Sequence, residues 1–224
     1  GEPTARKDLE EILEAATAAG LYTNLITAAV TLTRERVMKF AELGLDHVQV
    51  SIQDVDPENA DRISAYKGGL AKKIEVARWV KEAGLALTIN APIHRQNIHN
   101  VPRMIEFAVE CGAGRIEIAH VQYYAWALLN RSSLMPTRES FMIAAKQVEE
   151  ARETYKGVIV IDMVVPDYYA KFPKPCMGGW ARGILNVTPS GRVLPCHAAE
   201  SITHLTFDNV KTRKLADIWL NGDA

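Results

Sequence analysis

One unit recurs along the first two thirds of the chain and constrains the fold more than any other feature. An amphipathic helix stops at a glycine, and an apolar, β-branched strand follows at once. Asp8 to Ala19 sets Leu9, Ile12, Leu13 and Ala16 at helical spacing, stops at Gly20 and runs into a strand over 22–27. The helix over 34–43 stops at Gly44 before a strand over 47–52, and the helix over 71–83 stops at Gly84 before 87–91. The helix over 101–111 stops at Gly112 before 115–120, and a fifth unit joins a helix over 138–155 to a strand over 158–164. Glycine past the last turn takes the left-handed conformation that ends a helix without steric cost. Thr33, Asn100 and Thr137 stand where N-caps belong. Helices alternating with β-branched strands imply βαβ units and a parallel sheet. Five strands are too few to close an eight-stranded barrel, so an open, partial (β/α) barrel is expected.

Beyond Val165 the texture changes. Pro166, Pro173, Pro175, Gly178, Gly179, Pro189, Gly191 and Pro195 crowd a short stretch. Short strands over 184–188 and 192–194 flank a Pro189-Ser190-Gly191 turn and predict a β-hairpin, and 215–220 reads as a short helix. The expected division is therefore 1–165 and 166–224. With 26 basic and 27 acidic residues the net charge is −1, which offers no electrostatic attraction for nucleic acid or an anionic membrane surface. No apolar run approaches the roughly 20 residues of a membrane span, and no signal peptide is visible, so a soluble, cytoplasmic protein is expected. The opening Gly1-Glu2-Pro3 lacks an initiator Met, and material is expected to be missing at both ends.

In parallel α/β sheets, ligands bind at the carboxyl ends of the strands. That singles out Thr27, Ser51 to Asp54, Asn90, His120 to Tyr124, and Gly1-Glu2-Pro3 if a strand precedes it. Capping or loop polarity is the competing account of each. Cys176 and Cys196 bracket the hairpin, with fourteen residues between Cys176 and Gly191, four more before Cys196, and a proline before each thiol. Two thiolates across a hairpin can hold part of an iron–sulfur cluster or a zinc ion, though about four ligands are needed. His197 and His204 could complete a zinc site, and two ordinary structural thiols are the alternative. Cys111 ends a helix on its apolar side and reads as structural.

The stretch Cys176-Met-Gly-Gly-Trp180, then Leu185 through Pro195-Cys196-His197 to Glu200, Phe207-Asp-Asn-Val210 and Leu215-Ala-Asp-Ile-Trp-Leu220 resembles the radical S-adenosylmethionine (SAM) enzymes with a SPASM domain. Within them it is most similar to the cyclases of the pyrroloquinoline quinone (PQQ) precursor peptide. Cys176, Gly191 and Cys196 meet the CX9–15GX4C pattern of the auxiliary-cluster region, and Gly1-Glu2-Pro3-Thr4 resembles the tail of the GGEP motif. His94 to Asn97 and Ala119 to Tyr124 also match. The resemblance implies a radical SAM barrel followed by part of a SPASM domain. It implies SAM as cofactor, held at its amine by Gly1, Glu2 and Pro3, at its carboxylate by Ser51, and further by Asn90. Cys176 and Cys196 become ligands of an auxiliary iron–sulfur cluster, and His120, Gln122, Tyr123 and Tyr124 line the substrate side of the mouth. The implied reaction joins a glutamate to a tyrosine of the PqqA peptide through a carbon–carbon bond. The implied partners are PqqA, the small chaperone PqqD and an electron donor such as flavodoxin. The CxxxCxxC motif that holds the catalytic 4Fe–4S cluster does not occur in these residues, so the chain alone is expected to be inert toward SAM. Another SPASM peptide-modifying enzyme, a metal-independent barrel lyase and a zinc-stapled binding module remain the alternatives.

Overall fold

Five parallel strands lie side by side in the order of the chain, β1 (Asn24–Thr27), β2 (His47–Ser51), β3 (Ala86–Ile93), β4 (Arg115–His120) and β5 (Val160–Val164). The computed structural model describes residues 1–165, 167–169, 172, 180 and 182–222. Each crossover between neighbouring strands passes through helix: α1 (Leu9–Ala18) precedes β1, and α2 (Arg34–Glu42) leads to β2. Helices α3 (Pro57–Ser64) and α4 (Gly69–Glu82) lead to β3, and α5 (Val101–Glu110) to β4. The short α6 (Ala125–Leu129) and α7 (Arg131–Leu134) and the long α8 (Arg138–Thr154) complete the connection to β5. A strand order without reversal makes every right-handed crossover lie on the same side, so the helices cover one face only, as in a barrel wall.

That face is apolar because the strands alternate. Val48, Val50, Leu87, Ile89, Ile93, Ile116, Ile118 and Ile161 are buried against the helices. The opposite face carries His47, Gln49, Ser51, Thr88, Asn90, Arg115, Glu117 and Asp162; it is open at the edge strands, where Ile26 is 53 % exposed and Val160 48 %, while Gln49 and Thr88 in its middle are buried. Gly20, Gly44, Gly84 and Gly112 all have positive φ, as their places after α1, α2, α4 and α5 require. Thr33 and Thr137 accept hydrogen bonds from Arg36 N and Ser140 N as N-caps. Asn100 does not cap α5; its side-chain amide donates to Asp54 instead, 2.8 Å away. Helix α3 was not expected, although Asp56, which accepts from Asn59 N, and Pro57 form a start signal of cap and first-turn proline.

The chain divides into two compact units, Gly1–Val121 with Ser132–Pro166, and Gln122–Arg131 with Asp167–Ala224. The excursion 122–131 thus belongs with the second unit, where the sequence reading had assigned it to the first; Tyr123 stacks on Tyr168 there, with ring centroids 5.2 Å apart. The second unit contains the hairpin β6 (Asn186–Val187) and β7 (Val193–Leu194), shorter than expected, and the helix α9 (Leu215–Asn221). Residues 208–210 run beside the hairpin: Val193 N donates to Asp208 O and Val210 N to Gly191 O, both at 2.9 Å. Gly191 has φ +93°, and a Cβ there would lie 2.5 Å from Asn209 Oδ1. The glycine of the Cys–Gly–Cys pattern is therefore required twice, by its backbone conformation and by the side chain packed on it. Arg213 bridges Asp208 and Asp217 at 2.7 and 2.6 Å, fixing α9 to the hairpin edge. Among the described residues no helix is long and apolar enough to cross a membrane.

Candidate functional site

The carboxyl end of β1 is held by a latch. Glu2 precedes a single 3-10 turn, Pro3–Ala5, and its carboxylate reaches the strand end. Oε1 accepts from Thr4 N at 3.1 Å, Thr4 Oγ1 at 2.6 Å and Thr27 Oγ1 at 2.5 Å, while Oε2 accepts from Ala28 N at 2.8 Å. Burial would raise the Glu2 pKa, but the hydrogen bonds from Thr27, Thr4 and Ala28 outweigh it and hold the carboxyl below the usual glutamate range. Behind the turn, Arg36 pairs with Glu10 at 2.7 Å and donates to the carbonyls of Thr4 and Arg6. The Glu2-Pro3 backbone is thereby fixed at the carboxyl end of β1, and Thr27, singled out as a strand-end polar group, serves the latch.

Ser51, the last residue of β2, lies on the open face in register with Asn90, which is in register with Glu117 and then Asp162. The Ser51 hydroxyl makes no hydrogen bond among the described residues, while Asn90 Nδ2 donates to Glu117 Oε2 at 2.9 Å. The loop after β2 is braced: the Asn97 amide donates to Gln53 O at 2.7 Å and Pro92 O at 2.8 Å. Asp54, fully buried, accepts from Val55 N, Asp56 N, Asn59 and Asn100. Asp54 is therefore a loop-fixing group and not part of an open site.

The same loop meets a residue the sequence reading passed over. Lys73, on the inner face of α4 with Leu70, Val76, Ala77 and Val80, is only 4 % exposed and donates to Gln53 Oε1. Burial pulls its pKa down to about 8, partly opposed by the charge of Glu2. The signal was available: Leu70, Lys73, Ala77 and Val80 share one apolar helix stripe, which an ordinary solvated lysine does not join.

His120 is misplaced in the sequence reading. Strand alternation puts it with Ile116 and Ile118 on the helix-covered face, 2 % exposed, edge-on to Phe141 with ring centroids 5.2 Å apart. It is a core residue, not part of a mouth. Gln122, Tyr123 and Tyr124 lie in the second unit, where with Leu128, Arg131, Tyr168 and Ala198 they line a cavity of about 460 Å³. Burial and the neighbouring Tyr123 push the Tyr168 phenol well above its ordinary range. Cys196 follows β7 as a half-buried free thiol, whereas Cys176 lies outside the described residues. Among the described residues no group of three or more His, Cys, Asp and Glu side chains is placed to hold a metal, and His197 and His204 are both exposed. Cys111 is half-buried, its thiol pushed up to about 11 by burial, in keeping with a structural role.

Residues 1–108 match the profile of the radical SAM superfamily, and residues 176–224 match the iron–sulfur cluster-binding SPASM domain. The radical SAM profile thus covers the first 108 of the 224 residues. Two relatives named PqqA peptide cyclase, from Rhizobium meliloti (strain 1021) and Granulibacter bethesdensis (strain ATCC BAA-1260 / CGDNIH1), are each 55 % identical over the whole chain. The chain spans 60 % of the length of each. Among solved structures, Streptococcus suis SuiB superposes with a TM-score of 0.78 at 17 % identity, covering 98 % of this chain and 53 % of SuiB. The expected fold class, a partial radical SAM barrel followed by part of a SPASM region, is thus established.

Proposed function

We propose that the full protein is a radical SAM peptide cyclase of PQQ biosynthesis, joining a glutamate to a tyrosine of PqqA through a carbon–carbon bond. The observation that carries this reading is 55 % identity to PqqA peptide cyclases over all 224 residues, spanning the open face of the sheet and the SPASM hairpin alike. SAM and a 4Fe–4S cluster, whose CxxxCxxC ligands do not occur in these residues, would supply the radical chemistry that activates the glutamate side chain.

The residues present suit SAM at the end of the sheet. The backbone of Gly1, Glu2 and Pro3, with Glu2 and Pro3 fixed by the latch, offers carbonyl groups to the ammonium of the methionyl end. Ser51 offers an unengaged hydroxyl to its carboxylate. Lys73, a buried cation whose hydrogen-bond partner Gln53 is neutral, supplies the matching charge. Asn90 adds a polar contact in register with Ser51. Gln122, Tyr123 and Tyr124 line the cavity assigned to the peptide, and Cys176 and Cys196 ligate an auxiliary cluster with cysteines outside the chain. The partners are PqqA, delivered by PqqD, and an electron donor such as flavodoxin, in the cytoplasm.

The test uses the full-length protein, reconstituted anaerobically with iron and sulfide and given PqqA, PqqD, SAM and reductant. The expected product is PqqA lighter by two hydrogens, with 5′-deoxyadenosine formed alongside. Formation of 5′-deoxyadenosine without any crosslinked PqqA would point to another SPASM peptide-modifying enzyme.

A further inference from the structure

The cavity of about 460 Å³ in the second unit joins two kinds of chemistry in one lining. One side is aromatic and apolar, built from Tyr123, Tyr168 and Leu128. Tyr123 and Tyr168 stack with ring centroids 5.2 Å apart, and Tyr169 meets Tyr168 edge-on at 4.7 Å, so the rings form a braced wall. Burial and the neighbouring Tyr123 push the Tyr168 phenol up, and this part of the wall stays uncharged at pH 7. The other kind of chemistry is Arg131, the last residue of the excursion 122–131 and the one charged side chain among the described lining residues. A guanidinium keeps its charge at every working pH and presents its donors in a planar fork that matches a carboxylate. One cation in an otherwise uncharged, largely aromatic lining suits a ligand that brings one carboxylate together with aromatic surface.

We propose that Arg131 binds the side-chain carboxylate of the glutamate that reacts in PqqA, as the specificity-determining residue of this cavity. This inference rests on the reading that the cavity takes the peptide. The two side chains to be joined differ in charge. The tyrosine brings a ring suited to the wall of Tyr123 and Tyr168, and the glutamate alone brings a full negative charge for the guanidinium. A forked pair of hydrogen bonds sets the orientation of the carboxylate as well as its position, and so restricts the carbons that bear it. An uncharged isostere of glutamate would forfeit that pair.

The experiment measures peptide affinity by calorimetry on the full-length holoenzyme, with SAM present and reductant left out. It compares PqqA with PqqA peptides that carry glutamine at the reacting glutamate or at another acidic residue. Because Arg131 is exposed, the pair stays partly in contact with water. Wild type is therefore expected to bind the peptide altered at the reacting glutamate roughly 5- to 30-fold more weakly than PqqA. Arg131→Gln should bind those two peptides alike, and a change at any other acidic residue should cost the variant as much as it costs wild type. Equal affinity of wild type for PqqA and the peptide altered at the reacting glutamate overturns the assignment without needing any variant. A penalty that persists undiminished in R131Q overturns it as well, as does one that follows a different acidic residue and vanishes in R131Q. If wild type binds no PqqA, or if Gln122→Ala lowers crosslinking and uncoupled SAM cleavage equally, the peptide reading beneath it fails instead.

Discussion

Replacing Glu2 by Gln changes one atom of the latch at the end of β1 and none of its shape. In the native chain, three donors converge on Oε1 and one N–H, that of Ala28, meets Oε2. If the Gln oxygen keeps the three donors, its amide nitrogen confronts Ala28 N–H, donor against donor. One part-buried N–H then loses its partner at about 1–3 kcal/mol, and the three remaining bonds weaken as their acceptor loses its charge. The expected destabilisation of this segment is about 3 kcal/mol. Amide hydrogen exchange reads it directly, because a loss of about 3 kcal/mol in local stability speeds exchange roughly 150-fold. Peptides covering residues 1–8 and 23–32 should exchange faster in E2Q at pH 7, while peptides from β3 and β4 should not. The pH dependence has a fixed sign. The folded Glu2 carboxyl titrates below its ordinary value of 4.5, so its contribution is complete above that pH and disappears as pH falls through the lower folded value. The stability gap between wild type and E2Q should therefore close on acidification below pH 4.5. Unchanged exchange around Ala28 at pH 7, or a gap that widens in acid, would refute the latch.

Lys73→Met should remove a pH dependence: with Lys73 near 8, SAM affinity of wild type falls as pH rises from 7 to 9, and the variant shows no such fall by calorimetry. Because the folded lysine titrates below its ordinary 10.5, the folded chain holds fewer protons there between about pH 8 and 10.5, so wild-type stability rises with pH across that window and K73M lacks this rise. Replacing Cys176 or Cys196 by Ala in the full-length protein should lower bound iron and abolish PqqA crosslinking while sparing the SAM-binding cluster; wild-type iron content and EPR spectra in the double variant would make these thiols structural. Gln122→Ala or Tyr123→Ala should reduce crosslinking more than SAM cleavage uncoupled from peptide, and equal loss of both, measured by mass spectrometry, would remove them from the peptide site. Gly191→Ala should destabilise the hairpin by about 2 kcal/mol or more, since a Cβ meets Asn209 Oδ1 on a left-handed backbone; a protease-cleavage rate equal to wild type across 184–213 counts against it.

The five βα units, their parallel order and the hairpin were all legible in the sequence, because each depends on short-range periodicity and on glycines that end helices. Strand alternation even carried the correction of His120, which falls in phase with Ile116 and Ile118, but its nearness to a strand end outweighed that phase in the sequence reading. Helix α3 was equally available in Asp56-Pro57. What no local pattern contains is register between strands. Ser51, Asn90, Glu117 and Asp162 are separated by 27 to 45 residues, and only pairing across the sheet sets them in one row. The Glu2 latch likewise spans 25 residues to Thr27, and Lys73 meets Gln53 only because α4 packs its inner face on the sheet. Sequence determined which elements form, since that is a matter of nearest neighbours. Tertiary structure decided which polar groups share a surface, since hydrogen bonding between strands joins residues that the chain keeps far apart.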